Sequence, residues 1–504
     1  MTLHHSCVAR CLIATLVILA YGWDFEPRYA CGICHELLDG EQCEQFGACS
    51  AFNISTLKGG CQAVCPRGNH LWSERNPKLW VGGDPDVRVT KGFGTKPYDQ
   101  IRVSIISQDA TPPGEAGFFD YSARFRYSWT GNFLHTAMKS VTPGATATFN
   151  LGTQLQVKVP AQGVGVAGVL IADPCAYAKW VDCPFQSKLQ VYTRTPALIN
   201  SFVADGSTDF WGILGDNFYD RTGEITQDVY RRISLAAKSK LFITVAGNHD
   251  YWVYGSPPGV KGQDQCGNGH MQFYAQDAKA AQAVGIGNHN PPFDFSVDPG
   301  SAGAGCQPAS LNNFFWYNQI GNIGIIGQSG AYTLAEARPF MAEACTWLGQ
   351  QAGIQVGLLV GHWDIPGLGA AVEMAMPAWY SEMAALPGCS KFRQDGMLKY
   401  VMGHTHCNTP HPHGDIGAGF MVAGFGMVGC GNYGIPILDT TQERVRMWYF
   451  DTSSDDLYKS VQACVQAKGW RKCTQHAILW LDSPLISRNS SGGSSSSNAD
   501  TVIV

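Results

Sequence analysis

The sequence is poor in charged residues and has no excess of basic ones. Charged residues make up 15% of its 504 residues, against roughly 25% in an average soluble domain. Lys and Arg number 35 and Asp and Glu number 40, which gives a formal net charge of −5 at pH 7. Without surplus positive charge, the chain has little with which to neutralise nucleic-acid phosphates. We therefore expect no nucleic-acid partner.

Long apolar runs are missing after the N-terminus. The run Cys11 to Ala20 follows Arg10 and precedes the small-x-small pattern Ala20-Tyr21-Gly22. About ten apolar residues are too few to span a bilayer, and this order is typical of a cleaved secretory signal. The sequence therefore predicts a signal peptide over 1–22, a secreted or endolysosomal protein, and no integral membrane span.

Cysteine is abundant, in contrast to charge. Loss of the signal peptide removes Cys7 and Cys11 from the 18 cysteines and leaves an even number. Behind a signal peptide, such a set indicates disulfides in an oxidising compartment. The sequons at Asn53 and Asn489 predict N-glycosylation and agree with that route.

Six of the cysteines fall within a segment of 35 residues, and we expect 23–70 to form a small Cys-rich unit stapled by disulfides. Their spacing leaves the pairing open. A zinc site is the weaker interpretation, because a secretory compartment oxidises thiols and the spacing is irregular. These cysteines are Cys31, Cys34, Cys43, Cys49, Cys61 and Cys65.

The next segment, 84–163, contains short β-rich runs without helical periodicity. Examples are Ile101 to Ile106 and Ala123 to Tyr127, and turn signals such as Pro143-Gly144 separate them. Regularly spaced short strands predict a small antiparallel β-sandwich of the fibronectin III-like kind.

Residues 164–450 change character, because continuous apolar runs alternate with helical patterns. Helices are indicated by the spacing of Ile225, Val229 and Ile233 and by the stretch from Phe340 to Gln351. Alternating strands and helices predict an α/β layered domain. The apolar runs are Val166–Ala172, Phe210–Leu214, Leu241–Val245 and Val356–Val360.

The C-terminal part carries two further expectations. Residues 451–486 are predicted to form a short helical extension in which Cys464 and Cys473 can pair. Residues 487–504 are rich in Ser and Gly, and this composition predicts a disordered tail.

Each apolar run of the α/β segment is followed by side chains that bind metals. In open α/β sheets, ligands bind beyond the carboxyl ends of the strands. We therefore expect these side chains to meet on one rim, where a bridging carboxylate, imidazoles and oxygen donors can hold two cations about 3.5–4 Å apart. The residues are Asp173, Asp216, Asn248, His249, Asp250, His362, His404 and His406.

The order of these motifs resembles the calcineurin-like metallophosphoesterase superfamily, and within it the purple, or tartrate-resistant, acid phosphatases. The resemblance covers roughly 165–450 and is weaker over the segment before it. The most discriminating feature is a tyrosine three residues after the bridging aspartate. The matching stretches are Leu214–Tyr219, Ala246–Asp250, Val360–Trp363, Gly403–His406 and the glycine-rich Gly417–Gly426.

The resemblance implies a layered β-sandwich catalytic domain with helices outside and a dinuclear centre. One cation, Fe(III), would take Asp173, the bridging Asp216, Tyr219 and His406. The other, a divalent Fe, Zn or Mn ion, would take Asp216, Asn248, His362 and His404. This division agrees with ligand chemistry, because a phenolate is a hard anion and imidazole with amide oxygen suits a divalent ion.

Several of these residues have ordinary alternatives. Asp173 precedes Pro174 in Ala-Asp-Pro-Cys, where the family has Gly-Asp-Trp-Gly or a His two places on, and Asp-Pro also initiates turns. Tyr219 can be a core tyrosine. His249 is a candidate proton donor or phosphate contact, with an ordinary loop histidine as its alternative.

The implied function is hydrolysis of phosphate monoesters, on small esters or phosphoproteins, by a metal-bound hydroxide. One alternative is a phosphodiesterase of the acid sphingomyelinase type, against which Tyr219 argues. Another is a weakly active binding or anchoring protein, because Gly361 to Met376 contains no histidine besides His362, whereas the family often has a second one.

Overall fold

The computed structural model describes the part of the chain that carries the predicted metal ligands. The N-terminal 84 residues lie outside the described ranges, and with them the signal peptide, the six clustered cysteines and Asn53; Asn489 lies outside as well. All described residues belong to one compact unit. The described ranges are 85–94, 97–124, 132–175, 189–220, 223–250, 267–278, 314–363, 376–410, 419–421, 432–486 and 501–502.

The strands divide between two large sheets and one hairpin. In chain order they are β1 (Asp86–Lys91), β2 (Gln100–Ser107), β3 (Tyr121–Arg124), β4 (Phe133–Ser140), β5 (Thr146–Asn150), β6 (Gln154–Lys158), β7 (Ala167–Ile171), β8 (Phe210–Leu214), β9 (Leu241–Val245), β10 (Trp316–Ile320), β11 (Ile323–Gly327), β12 (Val356–Val360), β13 (Leu398–Met402), β14 (Thr409–Pro410), β15 (Gly419–Met421), β16 (Gly434–Asp439), β17 (Arg444–Asp451), β18 (Ala477–Pro484) and β19 (Thr501–Val502).

Helices connect many of these strands. They are α1 (Val191–Phe202), α2 (Glu224–Arg232), α3 (Leu235–Lys238), α4 (Asn268–Tyr274), α5 (Leu334–Gln350), α6 (Met376–Ala385), α7 (Cys389–Gln394) and α8 (Asp455–Lys468), followed by a 3-10 helix over Trp470–His476. No helix within the described ranges is both long enough and apolar enough to cross a membrane.

The larger sheet has the strand order β19-β18-β17-β16-β7-β8-β9-β1-β2-β4-β3, and the smaller has β10-β11-β12-β13-β15-β14. Strands β7, β8 and β9 are parallel, as are β11, β12, β13 and β15. Strands β7, β8, β9 and β12 are buried along their whole length, as the continuous apolar runs predict.

The sheets contact each other, and helices pack against them. The indole of Trp316 in the smaller sheet donates a hydrogen bond to the carbonyl of Thr244 in the larger sheet, at 2.9 Å. Phe202 of α1 contacts Phe450 of the larger sheet, with ring centroids 5.0 Å apart. On the smaller sheet, Leu348 of α5 packs so closely over Gly324 that a Cβ there would lie 2.4 Å from it. The predicted layered α/β fold is confirmed.

Two helix predictions are confirmed, one with a different start. Helix α2 contains Ile225 and Val229 and ends just before Ile233. Helix α5 begins at Leu334, six residues before the predicted Phe340. Its start is fixed by a capping box in which Thr333 and Glu336 satisfy each other's backbone N–H groups.

The strands before residue 164 are antiparallel, as predicted, but four of them do not form a separate sandwich. Strand β1 pairs with β9 in parallel, at Val89 and Leu241, so that β1, β2, β4 and β3 extend the larger sheet. Only β5 and β6 form a hairpin of their own. Pairing with β1 covers the edge of β9, which would otherwise present unpaired backbone groups.

The C-terminal extension is only partly helical. Helix α8 and the Cys464–Cys473 disulfide, with an S–S distance of 2.05 Å, are as predicted. Strand β18 then adds to the larger sheet beside β17. Within the segment predicted to be a disordered tail, Thr501 and Val502 pair with β18. A β-branched pair is suited to an open strand edge.

Candidate metal centre

The predicted ligands lie where the parallel strands end. Asp173 follows β7, Asp216 follows β8, Asn248 follows β9, His362 follows β12 and His404 follows β13. Five of the site residues have left-handed backbones, which are rare outside glycine and often mark functional sites. They are Asp173 (φ 50°), Asp216 (φ 51°), Tyr219 (φ 52°), His404 (φ 77°) and His406 (φ 59°).

Three side chains form a first group, the tyrosine cluster, which consists of Asp173, Tyr219 and His406. The hydroxyl of Tyr219 donates to Oδ1 of Asp173 at 3.0 Å and lies 2.7 Å from Nε2 of His406. That nitrogen is 3.1 Å from the same Asp173 oxygen. The three donor atoms therefore form a nearly equilateral triangle.

Four side chains form a second group, the amide cluster, which consists of Asp216, Asn248, His362 and His404. Nδ1 of His404 lies 3.1 Å from Oδ1 of Asn248 and 3.3 Å from Nε2 of His362. Nε2 of His362 lies 3.4 Å from Oδ2 of Asp216. These four candidate ligand atoms form a chain in which each atom lies 3.1–3.4 Å from the next.

The two clusters adjoin each other. Asp173, Asp216 and His362 each offer an atom within 4.8 Å of the others. Nε2 of His362 is 3.9 Å from Oδ1 of Asp173. The other oxygen of Asp173 accepts a hydrogen bond from the backbone N–H of His404 at 2.9 Å. Asp173 and Asp216 therefore lie between the two sets of donors.

These distances fit the coordination of two cations. Consider two ligand atoms that each lie about 2.1 Å from the same cation. They are about 3 Å apart when the ligand–cation–ligand angle is a right angle, and about 3.4 Å apart when it is the tetrahedral angle. Five of the six edges described above measure 3.0–3.4 Å and fall in this range, and the sixth, from Tyr219 to His406, is shorter at 2.7 Å. Nδ1 is the nitrogen of His404 that faces the cluster, and Nε2 of the same ring is buried without a hydrogen-bond partner among the described residues. The residues therefore fit a dinuclear centre, and Asp173 lies among the candidate ligands.

Charge is concentrated in the amide cluster. Burial opposes protonation of His362, but the carboxylates of Asp216 and Asp173 outweigh it and raise its pKa to about 10. Burial likewise disfavours ionised Asp216, but His362 and His249 hold the pKa of Asp216 well below its usual range. Burial and the neighbouring His362 lower the pKa of His404 to about 4. The proton on His362 balances the negative charge of the neighbouring carboxylates, and a cation bound here would balance that charge instead.

In the tyrosine cluster, the pKa values of Tyr219 and His406 are both raised. Burial raises the pKa of Tyr219 well above its usual value, and the Asp173 carboxylate raises it further. Burial lowers the pKa of His406, but Asp173 outweighs this and the net change is upward. Without a cation, both shifts favour the protonated forms of Tyr219 and His406.

The ring of His362 is oriented by a backbone carbonyl. Its Nδ1 lies 2.9 Å from the oxygen of Leu214, the residue that ends β8. Such contacts fix the orientation of a metal-ligating imidazole and direct the other nitrogen toward the metal. Glycine is required beside it, because a Cβ on Gly215 would lie 2.3 Å from Nδ1 of His362, and Gly215 has φ +89°.

His249 has two contacts with the centre. Its backbone N–H donates to Oδ1 of Asp216 at 2.8 Å. Its half-buried ring lies beside Tyr219, with centroids 4.9 Å apart. His249 is thus next to the predicted ligands without being one of the clustered donors.

The sequence interpretation missed a role for Asp250 and Asn217. The buried carboxylate of Asp250 accepts hydrogen bonds from the backbone N–H groups of Gly247, at 2.7 Å, and Asn217, at 2.9 Å. It also accepts from the side-chain amide of Asn217 at 3.1 Å. Asp250 thereby ties the loop after β8 to the loop after β9. An aspartate next to the Asn248-His249 pair was the only available signal.

Comparisons with known proteins give matches among solved structures alone. No family model matches the chain, and no curated protein matches it. A purple acid phosphatase from yellow lupin (Lupinus luteus) seeds is 15% identical to this chain. The match covers 74% of this chain and 73% of the lupin chain, with a TM-score of 0.46. PhoD is 12% identical, covers 75% and 89%, and has a TM-score of 0.39. A dimetal phosphatase from Danio rerio is 10% identical, covers 56% and 95%, and has a TM-score of 0.28.

Proposed function

We propose that this protein is a secreted phosphoesterase of the purple acid phosphatase kind, with two metal ions, which hydrolyses phosphate monoesters. The observation that carries the proposal is the adjacency of two donor groups, the tyrosine cluster and the amide cluster, with Asp173 and Asp216 between them. A pair of cations at such a site neutralises the phosphoryl charge and supplies an activated nucleophile when bound.

The donor chemistry supports different cations in the two clusters. Tyr219, Asp173 and His406 would hold Fe(III), because phenolate and carboxylate are hard anionic ligands. Asn248, His362 and His404 would hold a divalent Fe, Zn or Mn ion, because imidazole and amide oxygen suit these ions. Asp216 would be shared by both.

His249 is the residue that we assign to the leaving group. Its backbone N–H donates to Asp216 and its ring contacts Tyr219, which supports a position next to the candidate ligands but outside both clusters. A histidine in this position can protonate the departing alcohol oxygen. Small phosphate esters and phosphoproteins are the substrates that we propose.

Secretion is supported by the disulfides. Cys345 and Cys389 are joined, with an S–S distance of 2.00 Å, as are Cys464 and Cys473. Structural disulfides persist in oxidising compartments and are rare in the cytosol of mesophiles. With the apolar N-terminal segment, they favour the secretory or endolysosomal route.

The experiment is a metal analysis of the purified full-length protein together with a panel of phosphoesters. We expect two metal ions per chain and hydrolysis of monoesters in preference to a sphingomyelin-type diester. Asp216→Ala should lose both metal and activity. Two retained metals with near-normal turnover would contradict the dinuclear assignment, and a preference for the diester would favour the alternative phosphodiesterase.

Asp439→Ala is the matched control. Asp439 also ends a strand and is buried, but its carboxylate accepts from Arg471 at 2.6 Å and from the backbone of Thr441 at 3.0 Å. This variant should be less stable while it keeps its metal content and activity.

A further inference from the structure

Two buried polar side chains lie directly behind His362. Gln328 follows β11, donates its backbone N–H to the carbonyl of Val360 at 3.1 Å, and has a relative exposure of 3%. Trp363 follows His362 and has a relative exposure of 2%. Both therefore belong to the rim on which the candidate metal centre is built, although neither is one of the clustered donors.

Each of the two side chains has one buried atom without a partner. Nε2 of Gln328 donates to the sulfur of Met376 at 3.2 Å, but Oε1 of Gln328 accepts no hydrogen bond from the described residues. Nε1 of Trp363 likewise finds no acceptor among them. A buried polar atom left unsatisfied costs about 1–3 kcal/mol. The two atoms are complementary, because one is an acceptor and the other a donor.

A small cavity connects the two residues. Its volume is about 10 Å³, and it is lined by Gln328, Gly330, Gly361, His362, Trp363, Met376 and Trp379. A space of roughly 10–15 Å³ holds one water molecule, provided that polar partners are present. The cavity is too small for a substrate group, and it contains a donor and an acceptor of the kind that a water needs.

We propose that one buried water molecule occupies this cavity, accepts a hydrogen bond from Nε1 of Trp363, and donates one to Oε1 of Gln328. Gln328 is then a positioning residue for the second metal ion, since it acts through Trp363 on the amide cluster. This second part rests on the proposed function, because it takes His362 and His404 to be ligands.

The contacts of Trp363 explain why the effect is confined to one cluster. Its ring meets His362 edge-on, with centroids 5.3 Å apart, and lies 6.4 Å from the ring of His404. On another side it packs against Gly330, where a Cβ would lie 2.4 Å from the indole. An indole fixed by the water therefore limits the positions of both imidazoles, whereas Tyr219 and His406 contact Asp173, His249 and each other.

The test uses the full-length protein and Gln328→Met, which keeps the length of the side chain and removes the acceptor. A crystal structure of the wild type should show a water within hydrogen-bond distance of Trp363 Nε1 and Gln328 Oε1. In Gln328→Met, the dissociation constant for Zn²⁺ should rise about tenfold, as is usual for residues that orient metal ligands. Iron content and any visible band from Tyr219 should not change.

Gln319→Met is the control. Gln319 is also a buried glutamine, but it lies in β10 and donates to the carbonyls of Gly321 and Ala352 at 3.0 Å. Its replacement should lower stability and leave the affinity for Zn²⁺ unchanged.

Two results would overturn the inference. One is a dry cavity in a crystal structure that shows other buried waters, and the other is wild-type affinity for Zn²⁺ in Gln328→Met. A wild type that binds no pair of cations would instead contradict the proposed function and, with it, the positioning role of Gln328. The water itself would still be decided by the crystal structure.

Discussion

The hydroxyl of Tyr219 lies 2.7 Å from Nε2 of His406, although the two residues are 187 positions apart in the chain. Both also contact Oδ1 of Asp173. A phenol hydroxyl can donate one hydrogen bond and accept another, and here both partners are candidate ligands of the same cation. The contact supports the proposal that Tyr219 is a metal ligand, and the alternative of a packing residue is decided by the variant described next.

Tyr219→Phe tests this assignment by removing one oxygen and keeping the ring. If the phenolate binds Fe(III), charge transfer should make the oxidised wild type violet or pink, and the variant should lose or shift this band. Iron should also bind less tightly, by roughly 10-fold or more. Visible absorption and metal analysis of the two proteins measure both effects.

Tyr230→Phe is the control for this prediction. Tyr230 is fully buried, and its hydroxyl has no hydrogen-bond partner among the described residues. Its ring lies under the guanidinium of Arg88, 3.9 Å from the centroid. This variant should keep the colour. A colourless oxidised wild type that contains iron at both sites would remove Tyr219 from the ligands.

Asp250→Asn should loosen the centre without removing a ligand. The amide cannot accept as many hydrogen bonds as the carboxylate that now binds three N–H groups from Gly247 and Asn217. We expect a loss of about 2 kcal/mol in stability and roughly tenfold weaker metal binding. Urea unfolding of the metal-free protein and a metal titration measure the two quantities.

The matched variant is Asp277→Asn. The buried carboxylate of Asp277 accepts one hydrogen bond from the guanidinium of Arg102, in β2, and one from the backbone N–H of Phe93, just after β1, both at 2.6 Å. This variant should lose at least as much stability, because the buried Arg102 would lose its counter-ion, and it should keep normal metal affinity. Equal loss of metal affinity in both variants would assign Asp250 a general structural role.

The sequence allowed the central strands and the grouping of the candidate ligands at their ends to be predicted, because both depend on local patterns. A parallel strand that is buried on both faces needs a continuous apolar run, as in Phe210–Leu214. Residues that bind ligands in such sheets come directly after the carboxyl ends of the strands. Asp216 therefore directly follows a run that any periodicity argument detects. That the residues after different strands meet at one edge follows from the general topology of α/β sheets.

The sheet extension by β1 could not be predicted in this way. Strand β1 contains Asp86, Arg88 and Lys91, charges that normally indicate an exposed edge, yet it is buried throughout. Its charges are accommodated by distant groups, such as Lys238, whose ammonium lies 3.4 Å from Asp86. Likewise, the roles of Asp250 and Gln328 depend on contacts between separate loops, and no spacing in the sequence encodes them.

The stability of the metal-free protein should depend on pH through His362. Its pKa in the folded protein is about 10, above its ordinary value of 6.5. Protonated His362 therefore stabilises the fold fully below pH 6.5, and this contribution is lost as the pH rises toward 10. The free energy of unfolding of the wild type, minus that of His362→Gln, should fall over this range by at most roughly 5 kcal/mol.

Urea unfolding in the presence of a chelator measures this difference. His135→Gln is the control, because burial lowers the pKa of His135 and its effect should be constant above pH 6.5. A difference for His362→Gln that does not change between pH 6.5 and 10 would show that the Asp216 and Asp173 carboxylates do not hold a proton on this imidazole.

Metal loading at pH 7 should release protons from His362 and Tyr219. Metal ligands must be deprotonated, whereas in the metal-free protein the pKa of His362 is raised to about 10 and that of Tyr219 lies well above its usual value. Each of the two should therefore give up one proton when cations bind. Calorimetric titrations in buffers of different ionisation enthalpy count these protons, and Tyr219→Phe should release one fewer than the wild type. An unchanged proton count in Tyr219→Phe, at unchanged metal stoichiometry, would mean that the phenol keeps its proton and is not a ligand, whatever the colour of the protein.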